Sequence, residues 1–329
     1  MRTFQRIIMH PLLKKHASML LLGLLLSACS SSASPTPQTE FAQPLSNRTD
    51  DVHKEGEVHR HIHPEDATAQ IQLVLVPSEL IVGPNRFAVG IFDQGGDLVQ
   101  DAGVHLHFYD LTDSSNPSFE SEADAYPIST PDGQVTIFAF EREFPRGGLW
   151  GVEVEVSFRD GSQAINGIRF SVASDSPSLG PGEKVPPMHT PTLADAGENL
   201  GLLSSAEAPN PAFYQLSLDQ AMSSGKPTLL LFATPAFCQT RFCGPSYEIF
   251  SHLEQRYRDT LNFIHVEVFT GLPNPEANNW AVAPAMEQFG LESEPWIFLI
   301  GQDGTVLYRV EGVFTQEEIE GHLKAKLGL

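Results

Sequence analysis

Residues 228–245 are TLLLFATPAFCQTRFCGP, and this stretch decides how the C-terminal third of the chain is interpreted. An apolar run of strand length ends in a turn, and Cys238 and Cys243 follow with four residues between them. From Ser246 onward, apolar residues recur at three- and four-residue spacing, which is typical of one face of a helix. A dithiol between a strand and a helix lies near unpaired helix N–H groups and the positive end of the helix dipole, which lower a thiol pKa. The stretch therefore predicts redox chemistry. The alternatives are two inert core cysteines or a fixed structural disulfide.

Strands and helices alternate on both sides of this dithiol. The predicted elements are a short helix at 219–224, a strand at 228–233, a helix from 246, a strand at 263–268, a loop at 270–279, a short helix at 281–289, a hairpin turning at Asp303-Gly304, and a helix at 316–326 with Thr315 as its N-cap. This order predicts an α/β sheet with helices on its two faces.

The C-terminal domain, residues 212–329, resembles the thioredoxin superfamily. The strand–dithiol–helix unit matches, and so does an aromatic-Gly-aliphatic-x-x-x-Pro segment from Phe289 to Pro295, which precedes an apolar strand and an Asp-Gly turn. In that family the proline is cis and lies beside the dithiol, so the resemblance implies the same role for Pro295. A cis X–Pro bond is uncommon, and its position tends to be functional.

Two features depart from the family pattern. The family has Cys-x-x-Cys, whereas this dithiol is Cys-x4-Cys. In one alignment Cys238 is the nucleophile and Cys243 the resolving thiol, with two residues inserted, and the length of the helix favours this choice. In the other, Cys243-Gly-Pro-Ser246 matches the family motif, with Ser246 replacing a thiol and Cys238 acting as an upstream partner. The buried acid that assists proton transfer in the family corresponds to Leu231, so proton transfer needs another group or water.

The resemblance implies thiol–disulfide exchange on protein disulfides, in which Cys238 attacks and Cys243 resolves the mixed disulfide. Arg241 lies between them and can favour the thiolate; a solvent-facing side chain without this role is the alternative. The candidate substrate surface consists of Phe237, Phe242 and Trp296, which are equally compatible with a core position. No bound cofactor is expected beyond the redox-active disulfide itself.

Two other functions stay open. Sco-like copper chaperones share the thioredoxin fold and hold Cu(I) with a Cys-x-x-x-Cys pair and a distant histidine. Thiolates select Cu(I), but the spacing here differs by one residue, and His265 lies on a predicted strand from which it need not reach the cysteines. The third possibility is an anchored, non-enzymatic binding protein with a structural disulfide.

The N-terminus predicts export. Residues 1–28 combine basic residues with an apolar run of about a dozen residues, too short to span a membrane, which is typical of a signal peptide. Small residues precede Cys29, as in the bacterial lipoprotein signal, so the resemblance implies lipidation of Cys29. We therefore expect an extracytoplasmic protein that a lipid anchors to a bacterial membrane. A dithiol meets oxidising conditions there.

Residues 29–67 have the composition of a disordered tether, because they lack apolar periodicity. Within them, His59, His61 and His63 alternate and can gather a transition-metal ion, since imidazole suits copper, nickel and zinc. The favoured interpretation is a solvated polar linker.

Residues 68–173 alternate between apolar and polar side chains, and turn residues separate the runs. This pattern predicts an antiparallel β-sandwich of immunoglobulin-like character. His105 and His107 share the face opposite Val104, Leu106 and Phe108, where two imidazoles can ligate a metal. Nothing nearby in sequence completes such a site, so polar surface histidines are the favoured interpretation. We expect a spacer or a partner-binding module.

The remaining stretch, residues 174–211, is rich in proline and glycine and is predicted to be a semi-extended linker between the two domains.

The whole chain of 329 residues has a net charge of −21. Such a charge repels nucleic acid and anionic lipid head groups, so neither is an expected partner. The expected partners are protein dithiols and disulfides of the cell envelope, together with the membrane reached through the lipid.

Overall fold

The described part of the chain contains seven antiparallel strands between residues 71 and 172, and most of them show the two-residue alternation of half-buried strands. The computed structural model describes residues 62–238 and 242–329. The strands are β1 (Ile71–Leu75), β2 (Gly83–Asp93), β3 (Ala102–Asp110), β4 (Ser118–Ser129), β5 (Thr136–Phe144), β6 (Gly148–Phe158) and β7 (Gln163–Val172). They enclose an apolar core that includes Phe87, Leu106, Phe108, Trp150, Val154 and Phe170.

Hydrogen bonds connect these strands in the order β1-β2-β5-β4-β3-β6-β7. β4 pairs with β3 through residues 118–125 and with β5 through residues 126–129, so the sheet is continuous. Across the remaining gap, Asn166 Nδ2 on β7 donates a hydrogen bond to the carbonyl oxygen of Ile71 on β1 at 2.8 Å. The predicted antiparallel strands are confirmed. Instead of two separate sheets, the seven strands form one nearly closed sheet, because β4 pairs with β3 along its first part and with β5 along its last part.

The second part of the chain is a four-stranded sheet between two helical layers. Its elements are α1 (Leu218–Met222), β8 (Thr228–Phe232), α2 (Cys243–Tyr257), β9 (Asn262–Val266), α3 (Pro284–Phe289), β10 (Trp296–Ile300), β11 (Val306–Glu311) and α4 (Gln316–Leu327). The strand order is β11-β10-β8-β9, with β8 parallel to β9 and antiparallel to β10. Apolar residues of α2 and α4 pack on one face, and those of α1 and α3 pack on the other. The α/β prediction is confirmed in this coarse form.

Residues 174–211 contain little regular secondary structure, but they pack against the second sheet. Val185 and Met188 belong to the core beneath α1 and α3, and Leu203 belongs to the core beneath α2. The backbone N–H of Val306 on β11 donates to the carbonyl oxygen of Glu183 at 2.9 Å. This proline-rich segment is therefore ordered and covers part of the second sheet.

A buried ion pair connects the seven-stranded part with the α/β part. Arg86 Nε on β2 lies 2.6 Å from Glu318 Oε1 on α4, and the two side chains are 6% and 8% exposed. Arg86 also donates to the carbonyl oxygen of Val313 at 2.6 Å. Residues 62–329 accordingly lie within one compact unit.

Several predictions concern residues outside the described ranges. They are the signal peptide at 1–28, the lipidated Cys29, the tether up to residue 61 with His59 and His61, and Arg241. His63 lies within the described part and is exposed. Among residues 62–238 and 242–329, no helix combines the length and the apolar character that crossing a membrane requires.

Candidate redox site

Cys238 and Cys243 form a disulfide at the junction between β8 and α2. Their Cα atoms are 6.0 Å apart, a separation typical of protein disulfides. Cys243 is the first residue of α2 and is fully buried, whereas Cys238 is half-buried. Cys238 is therefore the sulfur that a large substrate reaches first. Cys243 lies at the positive end of the helix dipole.

The peptide bond between Glu294 and Pro295 is cis, as the resemblance implies. Pro295 is buried, and its carbonyl oxygen accepts a hydrogen bond from the backbone N–H of Gly312 at 2.9 Å. This segment directly precedes β10, which pairs with β8 on the same sheet. The β8–β10 pairing thus brings the loop at Pro295 to the end of β8 where the disulfide begins.

The carboxylate of Glu294 belongs to the same cluster. One oxygen of Glu294 and the Sγ atoms of Cys238 and Cys243 all lie within 4.8 Å of one another. Burial raises the pKa of Glu294 to about 7. Its buried Oε2 has no hydrogen-bond partner among the described residues. Glu294 can therefore hold or release a proton near neutral pH beside both sulfurs.

A second carboxylate, that of Glu267, lies next to the loop that joins β8 to Cys238. It accepts hydrogen bonds from the backbone N–H and the Oγ of Ser205, at 2.9 and 2.7 Å. Ser205 Oγ in turn accepts from the backbone N–H of Ala236 at 3.1 Å, two residues before Cys238. Burial raises the pKa of Glu267 to about 7, and repulsion from the Glu294 carboxylate adds to this effect.

Sequence reasoning missed both acids because it sought one on β8, at Leu231. Leu231 is fully buried in the apolar core. The sequence did contain a signal for Glu294, because this residue directly precedes Pro295. If the proline of the family pattern lies beside the dithiol, the residue before it lies there too. Glu267 follows β9 directly, at the same end of the sheet as the cysteines, because β8 and β9 are parallel.

The aromatic candidates occupy different surroundings. Phe237 is half-buried and contacts Trp280, with ring centroids 5.7 Å apart. Trp280 was not selected from the sequence, yet it is 40% exposed and also contacts Phe269. An exposed aromatic surface thus lies directly beside Cys238.

Trp296 and Phe242 lie elsewhere. Trp296 is only 4% exposed and stacks on Phe298, so its ring is part of the core and does not present a surface to a substrate. Phe242 packs against an apolar cluster that joins Val313 of the α/β part to residues of β2, β4 and β5.

His265 is committed to structural hydrogen bonds. Its Nδ1 lies 2.7 Å from the Tyr214 hydroxyl and its Nε2 lies 2.9 Å from the carbonyl oxygen of Ala233. Complete burial lowers the pKa of His265 to about 4. Among the described residues, the donor cluster around the disulfide contains two sulfurs and a carboxylate and no imidazole.

No family model matches the chain, and no curated protein matches it. Among solved structures, it is similar to a protein described as the thiol:disulfide interchange protein DsbE of Chlorobium tepidum, with 16% identity and a TM-score of 0.32 over 45% of this chain and 98% of that one. It is also similar to the soluble domain of PmoD from a Methylocystis species, with 17% identity and a TM-score of 0.23 over 31% of this chain and 90% of that one. A third similarity is to the superoxide reductase (neelaredoxin) of Ignicoccus hospitalis, with 10% identity and a TM-score of 0.20 over 32% of this chain and 80% of that one. These similarities are distant and partial, so the geometry of the disulfide carries the functional argument.

Proposed function

We propose that this protein is a thiol–disulfide oxidoreductase with a thioredoxin-like C-terminal domain. The observation that carries the proposal is the disulfide between half-buried Cys238 and fully buried Cys243, placed at the start of α2 beside the cis bond to Pro295. A purely structural disulfide needs neither an accessible sulfur nor proton-accepting groups beside it. Glu294, with its raised pKa, supplies such a group.

In the reaction, the Cys238 thiolate attacks one sulfur of a substrate disulfide. A Cys238–substrate bond forms, the substrate S–S bond breaks, and the first substrate thiolate leaves. Cys243 then loses its proton to Glu294 and attacks the Cys238 sulfur, forming the Cys238–Cys243 disulfide and releasing the second substrate thiolate. The two leaving thiolates take up protons, so the substrate gains two electrons and the protein dithiol loses two. An external dithiol returns the protein to its reduced state, and the same steps in reverse oxidise a substrate dithiol.

Phe237 and Trp280 form the surface on which an apolar segment of the substrate lies. Phe237 directly precedes Cys238 and contacts Trp280, whose ring is 40% exposed to solvent. Aromatic side chains contribute large contact areas and are enriched at sites where proteins bind one another. The proposed substrates are therefore protein disulfides flanked by apolar residues.

The proposed location is extracytoplasmic, with a lipid on Cys29 that anchors the protein to a bacterial membrane. It is supported by the signal-like residues 1–28 and the small residues before Cys29. Replacement of Cys29 by Ser is expected to move the protein from the membrane fraction to the soluble fraction. Persistence in the membrane fraction would contradict the lipid anchor and leave the redox proposal untouched.

Trapping of mixed disulfides tests the redox function. The Cys243→Ser variant lacks the resolving thiol, so it should accumulate covalent adducts through Cys238 with identifiable envelope proteins. The Cys238→Ser/Cys243→Ser variant is the control for non-specific association. Adducts that form only with Cys238→Ser would show that Cys243 is the nucleophile and Cys238 the resolving thiol. The oxidoreductase is rejected if neither single variant forms adducts and the disulfide potential lies far below about −300 mV, where structural disulfides are found.

A second candidate function, Cu(I) binding, is favoured by the donor set of Cys238, Cys243 and Glu294. Reduction of the disulfide yields two thiolates, which are soft ligands that select Cu(I). The test is titration of the reduced protein with Cu(I). A stoichiometric complex that Cys243→Ser abolishes would favour this function, provided that the same variant traps no mixed disulfides.

A further inference from the structure

The outer face of the seven-stranded sheet carries a group of titratable residues that the redox chemistry does not use. β3 contributes His105 and His107, on the side of the strand opposite the apolar core. The sequence favoured polar surface histidines, but both side chains are largely covered: His107 is 4% exposed, and the side chain of His105 is 14% exposed. The burial of two imidazoles on this side requires polar partners.

Those partners come from the two neighbouring strands in two cross-strand rows. In the first row, His105 pairs in register with Asp124 on β4 and with Glu155 on β6. In the second row, His107 pairs with Glu122 on β4 and with Glu153 on β6. Glu153 and Glu155 are 1% and 5% exposed. Four carboxylates therefore surround two imidazoles, and two of those carboxylates are buried.

Each imidazole has one ring nitrogen beside a carboxylate that fixes the orientation of the ring. His105 Nδ1 lies 2.7 Å from Asp124 Oδ1, and His107 Nε2 lies 3.1 Å from Glu155 Oε1. Glu155 Oε1 is itself held by the backbone N–H of Ile62 at 3.1 Å. Carboxylate–imidazole pairs of this kind orient the histidine ligands of metal ions.

The other two ring nitrogens converge on one carboxylate. His107 Nδ1 lies 3.4 Å from Glu122 Oε2, and His105 Nε2 lies 3.9 Å from the same oxygen. An ion bonded to nitrogen and oxygen at about 2.0–2.2 Å holds its ligands roughly 3–4 Å apart. These two separations already match that range, and one donor atom from each of the three residues lies within 4.8 Å of the donor atoms of the other two.

We propose that His105, His107 and Glu122 bind a divalent first-row transition-metal ion. Asp124 and Glu155 act as positioning residues that hold the two imidazoles. A donor set of two imidazoles and one carboxylate suits zinc and the neighbouring first-row transition metals. The side chain of Glu122 is 51% exposed, so an ion can enter from solvent. The site is independent of the dithiol and of the proposed redox function.

Calorimetric titration of the full-length protein with Zn²⁺ tests this assignment. The disulfide form is used, because oxidation removes the two thiolates that compete for the ion. We expect one Zn²⁺ per chain, and a loss of affinity of at least about tenfold in Glu122→Gln. Glu122 is largely exposed, so this variant should fold, which its circular dichroism spectrum verifies. His105→Ala should also weaken binding.

Two controls locate the ion. Glu120→Gln makes the same change of charge two residues away on β4, and it should leave the affinity unchanged. The variant His59→Ala/His61→Ala/His63→Ala removes the histidines that precede the sheet, and it should retain stoichiometric binding. The proposal is overturned if the folded wild-type protein binds no Zn²⁺, if Glu122→Gln binds as tightly as Glu120→Gln, or if the tether variant alone abolishes binding.

Discussion

An oxygen of the Glu294 carboxylate lies within 4.8 Å of the sulfur of Cys243, the buried half of the disulfide. Glu294 reaches this position because it lies two residues before β10, which pairs with β8. A carboxylate whose pKa burial raises to about 7 is matched to proton transfer at neutral pH. The loop before β10 thus places an acid beside the disulfide.

Replacement of Glu294 by Gln should slow the attack of Cys243 on a mixed disulfide by about 10²-fold or more, the usual contribution of a positioned acid or base. The inflection near pH 7 in the rate should also disappear, because the group that titrates there is gone. Single-turnover kinetics of a mixed disulfide between Cys238 and a peptide measure both effects. Glu292→Gln, an exposed acid two residues away, should preserve the rate and the inflection. Equal behaviour of the two variants would remove Glu294 from the reaction.

The buried carboxylate of Glu267 should make the folded protein less stable as the pH rises. In the unfolded chain a glutamate ionises near pH 4.5, whereas in the folded protein burial raises the pKa of Glu267 to about 7. Between these values the folded state holds a proton that the unfolded state has lost, so the free energy of unfolding falls with rising pH. Glu267→Gln should remove a fall of at most about 3 kcal/mol.

The measurement is the difference in unfolding free energy between wild type and Glu267→Gln at several pH values. A difference is needed because His265 has the opposite effect: its pKa is lowered to about 4, so stability rises with pH between about 4 and 6.5. His265 is present in both proteins and cancels. A difference that stays constant from pH 4.5 to 7 would contradict the raised pKa of Glu267.

The buried ion pair between Arg86 and Glu318 should contribute strongly to the stability of the whole protein. Arg86→Ala leaves the Glu318 carboxylate buried without its cation, at a cost of about 3–5 kcal/mol. Arg159→Ala breaks an exposed ion pair with Asp101 and should cost less than about 1 kcal/mol. Denaturant unfolding of both variants makes the comparison. Similarly small losses of unfolding free energy in Arg86→Ala and Arg159→Ala would mean that water reaches the pair between Arg86 and Glu318.

Gly290 should tolerate no side chain. It ends α3 in the left-handed region at φ +67°, and a Cβ atom there would lie 1.8 Å from the carbonyl oxygen of Pro177. Gly290→Ala should therefore lower stability by at least about 2 kcal/mol. Gly321 lies within α4, where a Cβ atom has open space, so Gly321→Ala should be neutral or stabilising by up to about 1 kcal/mol. Thermal unfolding of the two variants tests this contrast, and similar losses in both would contradict it.

The sequence identified most elements through periodicity, and its failures are equally physical. The sequence signal of β4 is weak, because its side chains alternate between half-buried and exposed positions and only Ile128 is buried. β5 begins with four consecutive buried residues, so it lacks the alternation of a half-buried strand. For α2 and α4 the predicted spans agree with the structure to within a few residues, because each has one apolar face.

By itself, the sequence determined an antiparallel β part followed by an α/β part, and it placed two cysteines between a strand and a helix. Such features depend on residues near one another in the chain, whose periodicity and spacing are visible directly. Only the tertiary structure brought Glu294 and Glu267 to the disulfide, buried Trp296, and set Glu122 against His105 and His107. Strand pairing and burial join residues that are distant in sequence, and no local pattern records which strands pair.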